Sequence, residues 1–179
     1  EIGELCLRSD FRDPLPAAAL RSLDYMAKWK KIMSDERFNI LTSDQAVFIF
    51  SKAGKDLSYS FYECPHDIPT VEQYVANQYG EEYLELLPDS SIQEEYEQFC
   101  CDLPLKRGLT PVRYDYQPGA YRPGIHPASH MHIGHENEVR IRVKWLLDPL
   151  SFVAFILRHF YPNKWESSIL TDCLDEIPE

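Results

Sequence analysis

From His130 to Ile133 and again from Glu138 to Trp145 apolar and polar side chains alternate, and this pattern restricts the segment more than any other feature of the chain. Met131, Ile133, Val139, Ile141 and Val143 take the odd positions, whereas His130, His132, Arg140, Arg142 and Lys144 take the even ones. A period of two belongs to β-strands, in which successive side chains point to opposite faces. The text predicts two strands, Ser129–Ile133 and Asn137–Trp145, joined as a hairpin.

The parity of the connecting loop then matters. If the apolar residues of both strands face one core, the histidines and the basic residues share the opposite face. A four-residue loop at 134–137 would set Met131 opposite Arg140 and mix the faces. An odd loop such as Gly134-His135-Glu136 pairs His130 with Arg140 and His132 with Glu138, and keeps Met131 with Val139 in the core. Gly134 suits such a loop because glycine adopts positive φ without steric cost. An odd loop or a bulge is therefore expected there.

The remaining text reads as helices and further strands. Asp13-Pro14-Leu15-Pro16 precedes a helix expected over Ala17–Met33, with Leu20, Leu23, Ala27 and Trp29–Lys31 near its inner side. Gln45–Ser51 and Leu57–Glu63 form a second expected hairpin around the turn signal Ala53-Gly54-Lys55-Asp56. Thr70 and Gln73 supply a capping signal for a helix reaching Tyr79, and Pro88–Ser91 opens another through Cys101. Leu109–Tyr116 is an expected strand with Val112, Tyr114 and Tyr116 on one side. Asp148-Pro149 starts a helix, Leu150–Tyr161, apolar nearly all round and therefore expected to be buried. A short terminal helix follows from Lys164. The expected fold is α+β: a single domain over 1–179, with an antiparallel sheet and helices packed on one face.

Composition fits that expectation. The 179 residues are 44% hydrophobic and 26% charged, enough for one core and too apolar for a disordered chain. No apolar run approaches the roughly 20 residues of a bilayer span, and no secretory leader is legible. The five cysteines are scattered without a C-x-x-C pair, which argues against a disulfide framework or a cysteine zinc site and for a reducing cytoplasm. The net charge is −11, unevenly spread. Residues 1–101 carry −10 and residues 165–179 carry −5, whereas 102–164 hold nine Lys/Arg against five Asp/Glu. The acidic helices within 70–101 read as a solvated face, with a surface for a larger protein partner as the sharper reading.

Four of the six histidines lie within residues 126–135, inside the basic region. Two chemistries compete for that face. His-x-His on a strand presents two imidazoles to zinc, iron or manganese, with His126 or His135 as a third ligand. Two or three fixed cations nearby oppose a divalent ion unless carboxylates such as Glu136 or Glu138 compensate. A phosphate-bearing ligand, RNA or a nucleotide, fits the positive charge better. His130 and His132 would act as acid and base, with Arg140 and Arg142 stabilising developing charge. His126, His135, Tyr121, Arg122 and Lys144 would line the ligand site. On that reading no residue is a metal ligand, and the sequence names no cofactor. A non-enzymatic subunit of a larger complex and a histidine-ligated metalloprotein are the alternatives.

One longer pattern carries a resemblance. R-P-G-I-H-P-A-S-H-M-H-I-G at 122–134, E-V-R-I-R at 138–142 and D-P-L-S-F-V-A-F-I-L-R-H-F-Y-P-N-K-W at 148–165 together resemble the bacterial domain-of-unknown-function family 2290, over residues 110–165. The matching positions are His126, Pro127, His130, His132, Gly134, Arg140, Phe155, Phe160, Tyr161 and Trp165. The resemblance implies a bacterial protein and, by association, a defence or toxin setting; the nuclease reading rests on the His/Arg face instead. The resemblance carries no activity with it. His130-Met-His132-Ile-Gly-His135 is also similar to the histidine-triad motif of nucleotide hydrolases, but the third histidine arrives one position late.

Overall fold

A computed structural model describes residues 6–7, 11, 23–82, 89–135 and 139–166. The chain is α+β. A seven-stranded antiparallel sheet runs β1 Cys6–Leu7, β2 Ile40–Leu41, β3 Val47–Ala53, β4 Asp56–Tyr62, β5 Val112–Tyr116, β6 Ser129–Ile133 and β7 Val139–Arg142. Each strand neighbours the next in sequence. The described helices are α1 Tyr25–Ser34, α2 Val71–Gln78, α3 Ser90–Asp102, α4 Pro149–Phe160 and α5 Pro162–Glu166. Backbone packing gathers the chain into two compact units: 1–63 with 110–179, and Cys64–Leu109. Among the described residues no helix is long and apolar enough to cross a membrane.

In the sheet unit the period-2 expectation holds for the β3–β4 hairpin. Ala53 pairs with Asp56 around Gly54-Lys55, and Gly54 takes φ +60°, as a two-residue hairpin turn requires. Alternation then sorts the side chains. Phe48 and Phe50 of β3, Tyr59 and Phe61 of β4, Val112 and Tyr114 of β5 and Met131 of β6 form one buried face. Phe152 and Ile156 of α4 close it, both fully buried. Burying one such side chain stabilises by about 1.5–3 kcal/mol. Asp148 caps α4 by accepting from the Ser151 N–H at 2.8 Å, and Pro149 takes the first turn, as the sequence predicts. The expected burial all round α4 does not hold: Leu150, Arg158 and His159 are exposed, and only the stripe of Phe152, Ala154 and Ile156 is buried.

The opposite face carries α1 at the β3 end. Ile32 packs with Phe38, Val47 and Ile49. The buried stripe of α1 is Tyr25, Trp29 and Ile32: Trp29 is buried as expected, whereas Leu23 precedes the helix, Ala27 is half-buried and Lys30 and Lys31 are exposed. Asp24 caps this helix, so the described helix starts at Tyr25; the expected start at Asp13–Pro16 and Leu20 lie outside the described residues. The Tyr161 hydroxyl donates to Asp44 Oδ2 at 2.8 Å and ties the end of α4 to the β2–β3 turn.

In the second unit, Thr70 and Gln73 form the expected capping box of α2. Tyr74, Val75 and Ile92 make a small core between α2 and α3. Glu72, Glu94, Glu95 and Glu97 are exposed.

Candidate functional site

The β6–β7 connection settles the parity question. Ile133 pairs with Val139, which leaves the five residues 134–138 between them. The loop is odd, as expected, and Gly134 takes φ +95°. A Cβ on Gly134 would meet nothing within 4 Å, so backbone conformation rather than space demands glycine there. The register differs from the expectation by two residues. His130 pairs with Arg142 and His132 with Arg140, while Met131 pairs with Ile141. Glu138, expected opposite His132, lies outside the described residues, as does Glu136.

The shared His/Arg face therefore forms, and β5 completes it. His130 pairs with Asp115 and His132 with Arg113. Two cross-strand rows result: Asp115–His130–Arg142 and Arg113–His132–Arg140. The Gly134 N–H donates to the Pro111 carbonyl at 3.0 Å, and the Val143 N–H donates to the Ser129 carbonyl at 3.1 Å. With the register, these bonds place each histidine in a hydrogen-bonded pair with β5 and a non-hydrogen-bonded pair with β7. The second kind brings side chains closer, so Arg142 and Arg140 are the nearer cross-strand neighbours by backbone spacing.

Burial grades the face. His130 is 1% exposed and His132 3%, and Asp115 is buried with them, while Arg140 and Arg142 are exposed. Asp115 is the hub. Its Oδ1 accepts from Ser58 Oγ at 2.7 Å, and its Oδ2 accepts from Arg113 Nε at 2.9 Å. The same Oδ2 lies 3.5 Å from His132 Nε2 and 3.9 Å from His130 Nε2. The His130 ring is oriented from behind, with Nδ1 3.1 Å from the Pro127 carbonyl. A carbonyl only accepts, so Nδ1 carries the hydrogen, and in the neutral ring Nε2 presents its lone pair toward Asp115. Burial keeps both rings neutral: it pushes His132 down to about 4, helped by Arg113, and lowers His130 against the pull of Asp115.

One potential ligand atom each from Asp115, His130 and His132 lies within 4.8 Å of the others. Two neutral imidazoles and one carboxylate form a donor set suited to zinc, iron or manganese. The His126 ring stands edge-on to His130 at 4.9 Å, and His130 edge-on to His132 at 4.8 Å. The buried Nδ1 atoms of His126 and His132 have no hydrogen-bond partner among the described residues.

A family model described as Uncharacterized conserved protein (DUF2290) matches residues 9–178. The chain belongs to this family. The match extends well beyond residues 110–165, where the resemblance was legible. No curated protein and no solved structure is similar enough to this DUF2290 chain to count as a match.

The other expected ligand residues of this DUF2290 protein divide into two groups. His126 joins the histidine row through a backbone bridge to Arg122 that folds the preceding loop. His135 packs against Tyr25 of α1, ring centroids 5.8 Å apart. Tyr121 and Arg122 stay exposed on the loop. Lys144 lies beyond β7, which ends at Arg142 rather than at Trp145, and its ammonium sits 4.4 Å from the Trp145 ring centre. Sequence reasoning missed Asp115 and Arg113. Their signal was present: if Val112, Tyr114 and Tyr116 face the core, Arg113 and Asp115 must face away from it.

Proposed function

We propose that this protein holds a divalent transition-metal ion on Asp115, His130 and His132, and that Arg140 and Arg142 bring a phosphate-bearing ligand, RNA or a nucleotide, to it. The observation that carries the reading is the convergence of three potential ligand atoms within 4.8 Å on two adjoining strands. The Pro127 carbonyl behind His130 supports it, because an imidazole whose second nitrogen is held by an acceptor is oriented to coordinate. So does the depressed basicity of both histidines, since only the neutral ring binds a metal. Three protein donors leave a coordination position for an oxygen of water or ligand, where a bound ion would act as a Lewis acid.

Charge explains why the two ligands belong together. Arg113, Arg140 and Arg142 outnumber Asp115 on this face, so an added dication alone meets net repulsion. A phosphate oxyanion offsets it. Elemental analysis of the purified protein tests the metal directly: about one equivalent is expected in the wild type, lost in Asp115→Ala and His130→Ala variants that remain folded. A wild type that takes up no stoichiometric zinc, iron or manganese after add-back and dialysis, with a nucleotide present as well as without it, sinks the proposal.

A second reading needs no metal. Arg140 and Arg142 are exposed and paired opposite the histidines, which favours a bidentate phosphate contact at the sheet edge. Nucleotide or RNA binding that survives chelation and disappears in Arg140→Ala/Arg142→Ala would support it over the first.

A further inference from the structure

Among the described residues strand β7 is the last strand of the sheet, and all four of its residues are exposed. Val139 and Ile141 were expected in the core with Met131. They lie on the core side of the sheet but are 48% and 47% exposed. The hydrogen bond from Val143 N–H to the Ser129 carbonyl fixes which backbone groups point where. Val139 and Ile141 direct theirs to β6; the N–H and C=O groups of Arg140 and Arg142 face the open side. Such an edge is a template for another strand. Apolar exposure continues beyond it in Trp145, Leu146 and Leu150.

We infer that β7 receives an extended segment of a partner protein whose side chains alternate acidic and apolar, added as an eighth strand. Acidic residues would stand across from Arg140 and Arg142, and apolar residues across from Val139 and Ile141. A second copy of this chain fits poorly. Each antiparallel β7–β7 register that keeps the two faces aligned and pairs three residues of Val139–Arg142 sets arginine opposite arginine, and like charges directly opposed destabilise a sheet. The charge on the edge therefore selects an acidic partner. The inference stands whether or not a metal is bound.

Two measurements test it on the full chain. Light scattering reports whether the protein self-associates, and fluorescence polarisation reports binding of labelled nine-residue peptides alternating Glu with Val. Saturable, salt-sensitive binding to a monomeric protein is expected. Arg142→Pro should weaken it at least tenfold, because proline removes an outward N–H that β6 does not use. Arg142→Ala, which keeps that N–H, should weaken it only a few-fold. Ile141→Glu leaves the backbone intact and should also abolish binding if Arg142→Pro fails to fold. Absence of saturable binding, or equal binding by wild type, Arg142→Pro and Ile141→Glu, overturns the inference. A dimer that Arg142→Pro dissolves overturns it too, by naming a second copy as the occupant.

Discussion

The Nδ1 atom of His130 lies 3.1 Å from the carbonyl oxygen of Pro127, three residues earlier in the chain. This local contact sets the tautomer of a ring whose other nitrogen faces a carboxylate on the next strand. His130→Ala removes a donor atom and leaves that carboxylate in place. Metal affinity should fall by at least a hundredfold, read by competition with a chromogenic chelator. His126→Ala, which removes a ring neighbour outside the convergent triad, should cost less than tenfold.

Arg113 competes with any cation for Asp115 Oδ2, to which it donates at 2.9 Å. Arg113→Gln should therefore tighten metal binding by about tenfold, since a fixed positive charge beside the site is removed. The same variant should lose about 1–3 kcal/mol of stability in the metal-free protein, because a buried carboxylate loses a charged partner. Chemical denaturation and metal titration of the same sample separate the two effects. Equal metal affinity in both proteins would remove Arg113 from the site's electrostatics.

Metal-free protein should lose stability on acidification in a defined window. The folded state holds His132 at about 4, below its ordinary 6.5, because the ring is buried next to Arg113. Above about pH 6.5 folded and unfolded states both carry the neutral ring, and His132 contributes no slope. Between pH 6.5 and 4 the unfolded chain binds a proton that the folded chain refuses, so stability falls with pH. The total from this group is on the order of 3 kcal/mol. Urea midpoints across pH 4–7.5, compared with His132→Asn, should show the slope in the wild type and a shallower one in the variant.

Tyr161→Phe should destabilise the sheet unit by about 1–2 kcal/mol without touching metal binding, since it removes a hydrogen bond to a carboxylate. Asp44 is partly buried. Burial works to raise its pKa, but hydrogen bonds from Thr42 and Tyr161 hold it lowered overall. Thermal melting with a metal titration at 25 °C checks both halves of this expectation.

The hairpin face was legible because alternation in 130–133 and 138–145 is strict and leaves one parity that puts the apolar side chains of both strands together. Parity fixed which residues share a face, but not the register. Loops of three and five residues satisfy it equally, and the longer one moved His130 from Arg140 to Arg142. The face of Asp115 was legible from the β5 alternation, but its neighbour was not. Its place beside His130 depends on β5 pairing with β6 across the long segment from Gln117 to Ala128, and nothing local in the sequence states that pairing. The exposure of Val139 and Ile141 was hidden too. An edge strand and a central strand show the same alternation, and only the end of the sheet tells them apart.

The strand order has a consequence for assembly. Each strand neighbours the next in sequence, but the connections differ in length: β1–β2 spans residues 8–39 and β4–β5, the longest, spans residues 63–111. The ends of that excursion meet where Thr110 N–H donates to Glu63 Oε2 at 3.1 Å. Closing it has the largest loop-entropy cost in the sheet, so β4–β5 is the slow pairing during folding. Asp115, His130, His132, Arg140 and Arg142 all lie on the later side of that junction, in one local meander. The histidine centre is thus positioned to form early, before the sheet is whole.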